Sequence, residues 1–231
     1  VHLARDGHVL RVTLNRPEKL NALRPADIRA LRAAMDLDDG VRAVIFAGAG
    51  GRAFTAGMHL DTFGGLTAES ARAFIASVRD MLAAVRTAPV PTMCAVDGYC
   101  LGVGFELSLA CDLRVVTTRS AFGLPEIKVG IPSIADAALL SQHVGLSLAK
   151  EIILTGAVYP VGRFAHTGLC NALVEPDGLA AATTELLDKV ARHSPAAIAA
   201  QKRLFEAWQN TGLVTGSEIS LHEFAALFPS G

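Results

Sequence analysis

Two stretches of this chain set glycines directly behind apolar runs, and carboxylates follow close by. The richer one reads Asp97-Gly98-Tyr99-Cys100-Leu101-Gly102-Val103-Gly104-Phe105-Glu106. Gly102 and Gly104 carry no Cβ, so backbone there can approach a ligand closely. A helix opening at Val103 leaves its first N–H groups unpaired at the positive end of its dipole. Glu106, three residues on, falls on the same helix face one turn further in. A backbone donor and a carboxylate thus converge on one spot. The bland alternative is a glycine kink packing helix on strand, with Glu106 solvated. Its neighbours Val103, Phe105, Leu107, Leu109 and Ala110 argue for burial instead. The other stretch is Ala53-Phe54-Thr55-Ala56-Gly57-Met58-His59-Leu60-Asp61. A second carboxylate, Glu126, follows Pro125 in Phe122-Gly123-Leu124-Pro125-Glu126-Ile127. Alone it is a loop glutamate. Paired with Glu106 it is more, because burial raises carboxyl pKa values and a neighbouring carboxylate raises one further. Such a pair could hold a water or move a proton to and from carbon.

Rival chemistries fare worse. Gly48-Ala49-Gly50-Gly51-Arg52-Ala53 fits a loose GxGxxA pattern, but a dinucleotide site needs a helix opening at those glycines. Gly57 and a continuing loop follow instead. Neither GxxxxGK[ST] nor GxSxG occurs. Cys100 as a nucleophile would need a nearby histidine, and a small core residue is the simpler reading. His59 reads equally as a phosphate contact or a surface histidine. His143 and His166 read as helix C-terminal residues favoured by the dipole. Cys94, Cys100, Cys111 and Cys170 form no CxxC pair and no zinc-spaced cluster, so no metal site and a reduced compartment are expected.

The apolar pattern supplies the frame for these groups. Strands are expected at 9–14, 42–47, 92–96, 113–117 and 171–174. A helix with face Ile28, Leu31 and Met35 opens at Pro25. Another covers 68–87, where Phe74, Val78, Met81, Leu82 and Val85 keep a 3.6-residue period. A short helix spans 103–110. Ser133 is placed to cap a helix running to His143 and stopping at Gly145. Helices near 148–154 and 161–166 precede long ones at 178–193, 196–209 and 217–227. Strand–helix alternation giving way to helices predicts an α/β fold with a helical C-terminal region. The expected organisation is a core over residues 1–175 and a helical region over 176–231, both in one functional unit.

With 231 residues, 51% hydrophobic and 19% charged, the chain can bury a sizeable core and is no disordered tail. Its 21 Lys and Arg against 22 Asp and Glu leave a net charge of −1, which argues against a general attraction to nucleic acid or acidic lipid. A mean hydropathy of +0.38 raises the question of a membrane span. No apolar run reaches the roughly 18–20 residues a span needs. The richest, 101–116, is cut by Glu106, Asp112 and Arg114. The apolar surplus is better used between subunits. Val1 to Gly7 resembles neither a signal nor a transit peptide, so a cytoplasmic location is expected.

The set as a whole resembles the crotonase, or enoyl-CoA hydratase/isomerase, superfamily, nearest to its hydratase-like members. The matching stretches are Leu14-Asn15-Arg16-Pro17-Glu18-Lys19-Leu20-Asn21-Ala22-Leu23, Ala53-Phe54-Thr55-Ala56-Gly57, the Asp97 to Glu106 loop, Ala110-Cys111-Asp112-Leu113-Arg114, Phe122 to Glu126 and Gly130-Ile131-Pro132. The resemblance implies a ClpP/crotonase-like spiral of ββα units with a C-terminal helical region used for trimerisation, and trimers often paired into hexamers. It implies an acyl-CoA substrate whose carbonyl oxygen lies between the N–H groups of Met58 and Val103. Glu106 and Glu126 match the two glutamates that handle water in the hydratases. Lys19, Ala22, Ala56, His59 and Leu60 match the CoA channel. No cofactor is implied beyond the coenzyme A on the substrate. The expected activity is that of a hydro-lyase acting on a 2-enoyl-CoA. The alternatives are an isomerase relying on Glu126, or a crotonase-like protein that only binds CoA or RNA. Three departures bear on the substrate. His59 replaces the common aspartate, and Ser133-Ile134-Ala135-Asp136-Ala137-Ala138 replaces a glycine-rich segment. Many relatives also continue with a further helix beyond Phe224-Ala225-Ala226-Leu227-Phe228.

Overall fold

In the computed structural model, which describes residues 1–229, the strands sort into two sheets, alternating between them from β3 to β8. The larger sheet has the order β1 (His2–Asp6), β2 (Val9–Leu14), β3 (Ala43–Gly48), β5 (Thr92–Val96), β7 (Leu113–Thr117), β10 (Ala172–Val174). The smaller runs β4 (Ala53–Thr55), β6 (Tyr99–Leu101), β8 (Ala121–Gly123), β9 (Val158–Pro160). After each pair of strands the chain turns through a helix. β1 and β2 lead to α1 (Pro25–Ala33), β3 and β4 to α2 (Ala68–Arg86), and β5 and β6 to α3 (Val103–Ala110). These are the expected ββα turns.

The central strands are parallel and covered on both faces, which is why they read as mostly apolar runs. Alternation still divides them. Val44, Phe46, Cys94, Val96 and Val116 face the core beneath α1, α2 and α3. Ala43, Ile45, Met93, Ala95 and Val115 face α6 (Leu179–Ala191) through its buried Leu187. The C-terminal region therefore shares the large sheet's second face. Beyond it, α7 (Pro195–Asn210) and α8 (Leu213–Ala225) form a hairpin tied by Arg203 and Glu223.

Several motif residues hold this frame. Asn21, with φ of 55°, donates from Nδ2 to the Ala49 and Ala53 carbonyls, and its Oδ1 accepts the Arg16 N–H. The buried Arg114 guanidinium donates to the Ser108, Cys111 and Leu169 carbonyls, so it caps the open end of α3. Asp112 accepts from the Thr92 N–H and hydroxyl and from Lys202 on α7.

One expected helix differs. Residues 133–143 form a short 3-10 helix, Ala135–Leu139, that runs into α4 (Leu140–Val144) and stops at Gly145. Ser133 caps nothing, because its hydroxyl is engaged elsewhere and Ala135 takes a left-handed φ of 50° that an α-helical start forbids. His143 also differs. Burial beside Arg114 drives its pKa down to about 4, outweighing any help from the end of α4. His166 lies in the turn after a 3-10 helix, Val161–Phe164. Upstream of it, α5 (Leu146–Thr155) fills the expected place.

Candidate active site

β4 and β6 lie side by side and parallel, so the loops leaving them emerge together. Gly57 and Gly102 both have positive φ, 90° and 55°. A Cβ on Gly57 would stand 3.0 Å from the Leu101 carbonyl oxygen and 3.5 Å from the Gly102 Cα. The two backbones meet at a separation that suits only glycine. The residues that follow, Met58 and Val103, line one cavity of about 320 Å³.

The N–H groups of both residues are available. Leu23 donates to the Gly57 carbonyl at 2.8 Å and accepts from the His59 N–H at 2.7 Å, a parallel bridge centred on Met58. In such a bridge the central residue's own N–H points to the opposite side. Val103 is the first residue of α3, where an N–H has no partner within the helix. Gly104 does something else. A Cβ there would collide with the Thr55 side chain, so this glycine lets α3 pack on β4 and does not bring backbone to a ligand.

Glu106 and Glu126 line the same cavity from different elements. Glu106 lies on α3 and is 3% exposed. Burial first, then the charges of Glu126 and Asp136, hold its carboxyl well above the usual range, while the N–H groups of Ile134 and Ala137 act in the opposite sense. Glu126 lies on a 3-10 helix, Pro125–Val129, begun by Pro125. Burial raises its pKa too, opposed by its own backbone N–H and by Ser133, whose hydroxyl donates to Oε2 at 2.9 Å. Glu126 Oε1 reaches back over Gly102, 2.6 Å from where a Cβ would be. A buried and a half-buried carboxyl that both resist ionisation can divide the work of acid and base, one keeping its proton while the other is charged.

The rest of the cavity is apolar. Phe63 and Phe74 meet edge to face at 6.2 Å, and Ile75, Val78, Ile131 and Ile134 continue the wall. Phe74 and Val78 were legible as a helix face, but their period reads the same for core and for a pocket wall. Of the expected channel residues, Ala56 and Leu60 line the cavity, whereas Lys19, Ala22 and His59 do not. They form an adjoining strip. The Ala56 N–H donates to the Leu20 carbonyl, and with the Leu23 bridge this laces segment 19–23 to segment 56–59. Lys19 is exposed there, and His59 Nδ1 stands 3.4 Å from Asp61. Ser133 was missed as a partner of Glu126, since sequence alone shows it only as a helix cap.

A larger cavity of about 380 Å³ lies at the far end of α3 beneath α7. It contains neither glutamate and neither glycine loop. Lys202 pairs with Asp112 across it and Arg86 with Glu206, so the converging reactive groups belong to the smaller cavity. Cys100 is buried in the core, where burial pushes its thiol up and away from reactivity. Among the described residues no cluster of three or more His, Cys, Asp or Glu could hold a metal, and no helix is long and apolar enough to cross a membrane.

A sequence profile of the enoyl-CoA hydratase/isomerase family matches residues 4–230. The chain belongs to this family, the crotonase superfamily. A short-chain-enoyl-CoA hydratase of Clostridium acetobutylicum is 29% identical over 99% of this chain and 89% of its own length. An (E)-benzylidenesuccinyl-CoA hydratase of Thauera aromatica is 31% identical over 88% of this chain and 80% of its own. Among solved structures, an enoyl-CoA hydratase of Mycobacterium smegmatis superposes with a TM-score of 0.93 at 30% identity, covering 98% of this chain and 90% of that one. The two alternating sheets and their helices are thus the crotonase fold. Enzymes of the crotonase family act on acyl-CoA thioesters.

Proposed function

We propose that this chain hydrates a 2-enoyl-CoA thioester, with Met58 and Val103 as the oxyanion donors and Glu106 and Glu126 as the acid–base pair. The observation that carries the reading is the meeting of two free backbone N–H groups and two carboxyls of raised pKa on one apolar cavity. The thioester oxygen accepts from the two N–H groups, which draws electron density from the β-carbon and stabilises the enolate that forms. Each such donor is worth about 10²–10³ in rate. The ionised glutamate takes a proton from water as its oxygen bonds to the β-carbon. The protonated one delivers a proton to the α-carbon, the enolate collapses, and a 3-hydroxyacyl thioester results. Each step balances with water as the only co-reactant and no further cofactor. Lys19, Ala22, Ala56, His59 and Leu60 form the path for the CoA moiety, a strip whose backbone is laced as described.

The reading extends to assembly as a trimer or hexamer. Trp208, Leu213, Val214 and Phe224 on α7 and α8 are exposed and would be covered by such contacts. Sedimentation at micromolar concentration tests this, and a stable monomer refutes it. For the chemistry, Glu106→Gln and Glu126→Gln should each lower crotonyl-CoA hydration at least about tenfold. Intact hydration in Glu106→Gln, with Glu126→Gln abolishing a 3-enoyl to 2-enoyl shift, would replace the hydratase by an isomerase. Silence of both variants on every thioester tested refutes the two-carboxylate mechanism.

A further inference from the structure

We propose that Asp136 is a positioning residue: clamped by Arg86 beside α3, its carboxylate acts on Glu106 from behind and couples the site to helix α7. The clamp spans three elements. Arg86 closes the last turn of α2, and its Nη1 donates to Asp136 Oδ2 at 2.5 Å. Its Nε donates to Glu206 on α7 at 2.8 Å. Asp136 is 7% exposed, on the 3-10 helix that packs directly on α3. One guanidinium thus serves two carboxylates, which leaves a net negative charge behind Glu106. That charge opposes ionisation of Glu106. Asp136 stands in the segment where this chain departs from the glycine-rich pattern, so the arrangement is a property of this sequence.

Glu126, its partner in the site, opposes ionisation of Glu106 more strongly than Asp136 does, and no third charge joins them. On α3 its neighbours Val103, Gly104, Phe105, Leu107, Ser108 and Leu109 carry no charge. α2, which packs on α3, buries Val78, Met81, Leu82 and Val85 and carries Arg86 as the charged group of its last turn. From β6 come the buried Cys100 and the exposed Tyr99. From the Pro125–Val129 helix come Glu126, its working partner, and Lys128, exposed at the cavity edge.

The inference rests on Glu106 acting in the reaction, and the test separates the two ideas. The pH profile of kcat/KM for crotonyl-CoA hydration is measured in the whole protein, and the limb lost in Glu106→Gln is assigned to Glu106. In Asp136→Asn that limb should move to lower pH by about one unit, the order expected on removing a charge within about 10 Å. Asp136→Glu should restore it. Glu206→Gln, which leaves Arg86 paired to Asp136, should give a smaller shift in the same direction, and it serves if Asp136→Asn does not fold. Lower activity with an unmoved limb means Asp136 is merely structural and overturns the proposal, as does a limb that moves upward. If Glu106→Gln leaves both turnover and profile intact, the assignment of the site itself has failed.

Discussion

Gly102→Ala tests the geometry of the site at a single atom. Gly102 has φ of 55° and ψ of −132°, a backbone conformation that an alanine rarely adopts. Forcing one there costs about 1–3 kcal/mol, offset by roughly 0.4–1 kcal/mol from the less flexible unfolded chain. A net loss of about 1–2 kcal/mol lowers Tm by about 2–8 °C in a chain of this size. The second effect is local. The new Cβ would stand 2.6 Å from Glu126 Oε1. The carboxylate oxygen must retreat by about 0.8 Å to reach ordinary contact. A misplacement near 1 Å can cost 10²-fold in rate. The expected result is therefore a folded protein whose kcat for crotonyl-CoA hydration, read as loss of enoyl-thioester absorbance, falls on the order of 10²-fold. Because the damage acts through Glu126, adding Glu126→Gln to Gly102→Ala should cost little more. Turnover within threefold of the parent in a folded Gly102→Ala protein would refute the seat of Glu126 over Gly102. So would a full additional loss in the double variant.

Gly104→Ala should lower stability by about 1–3 kcal/mol, since its Cβ meets the Thr55 methyl group in a packed interior. Thr55→Ser removes that methyl and keeps the hydroxyl that accepts the Gly57 N–H, so the double variant should regain most of the loss in a denaturant titration; failure to regain it places the clash elsewhere. Glu106→Gln should also reveal the burial of its carboxyl by calorimetry. Below pH 4.5, the ordinary value, Glu106 is protonated folded or unfolded and the two proteins should melt together. As pH rises past that value the unfolded chain ionises freely while the fold resists, so the parent loses stability that Glu106→Gln keeps. The gap in Tm should widen from pH 4 towards neutrality, and a constant gap would show that ionised Glu106 carries no burial penalty.

What could be read from sequence follows physical strength of signal. The strands at 9–14, 92–96 and 113–117 and the helix at 103–110 coincide with β2, β5, β7 and α3. Their apolar runs and glycine or proline borders are long enough to specify themselves. β4, β6, β8 and β9 are three residues each, too short to display any period. β1 went unseen because all five of its residues are exposed. Within the site, Glu106 and Glu126 stood out as carboxyls among apolar neighbours. Ser133, Asp136 and Arg86 did not. Their importance arises from partners 7, 50 and 120 residues away, which no local spacing encodes. Gly104 shows the converse, since a glycine beside the site proved to serve helix–strand packing.

The order of the strands has a bearing on how the molecule comes into being. Along each sheet the strands stand in the order of synthesis, β1-β2-β3-β5-β7-β10 in one and β4-β6-β8-β9 in the other. Each newly made strand can therefore dock on an edge that already exists, and none has to wedge between two neighbours already bonded. Both sheets lengthen as the chain leaves the ribosome, one ββα turn at a time. The loops bearing Gly57 and Gly102 can meet, and Glu126 can settle above them, 80 residues before Glu206 is made. Glu206 arrives last, so the electrostatic clamp on Arg86 closes over a cavity that is already built.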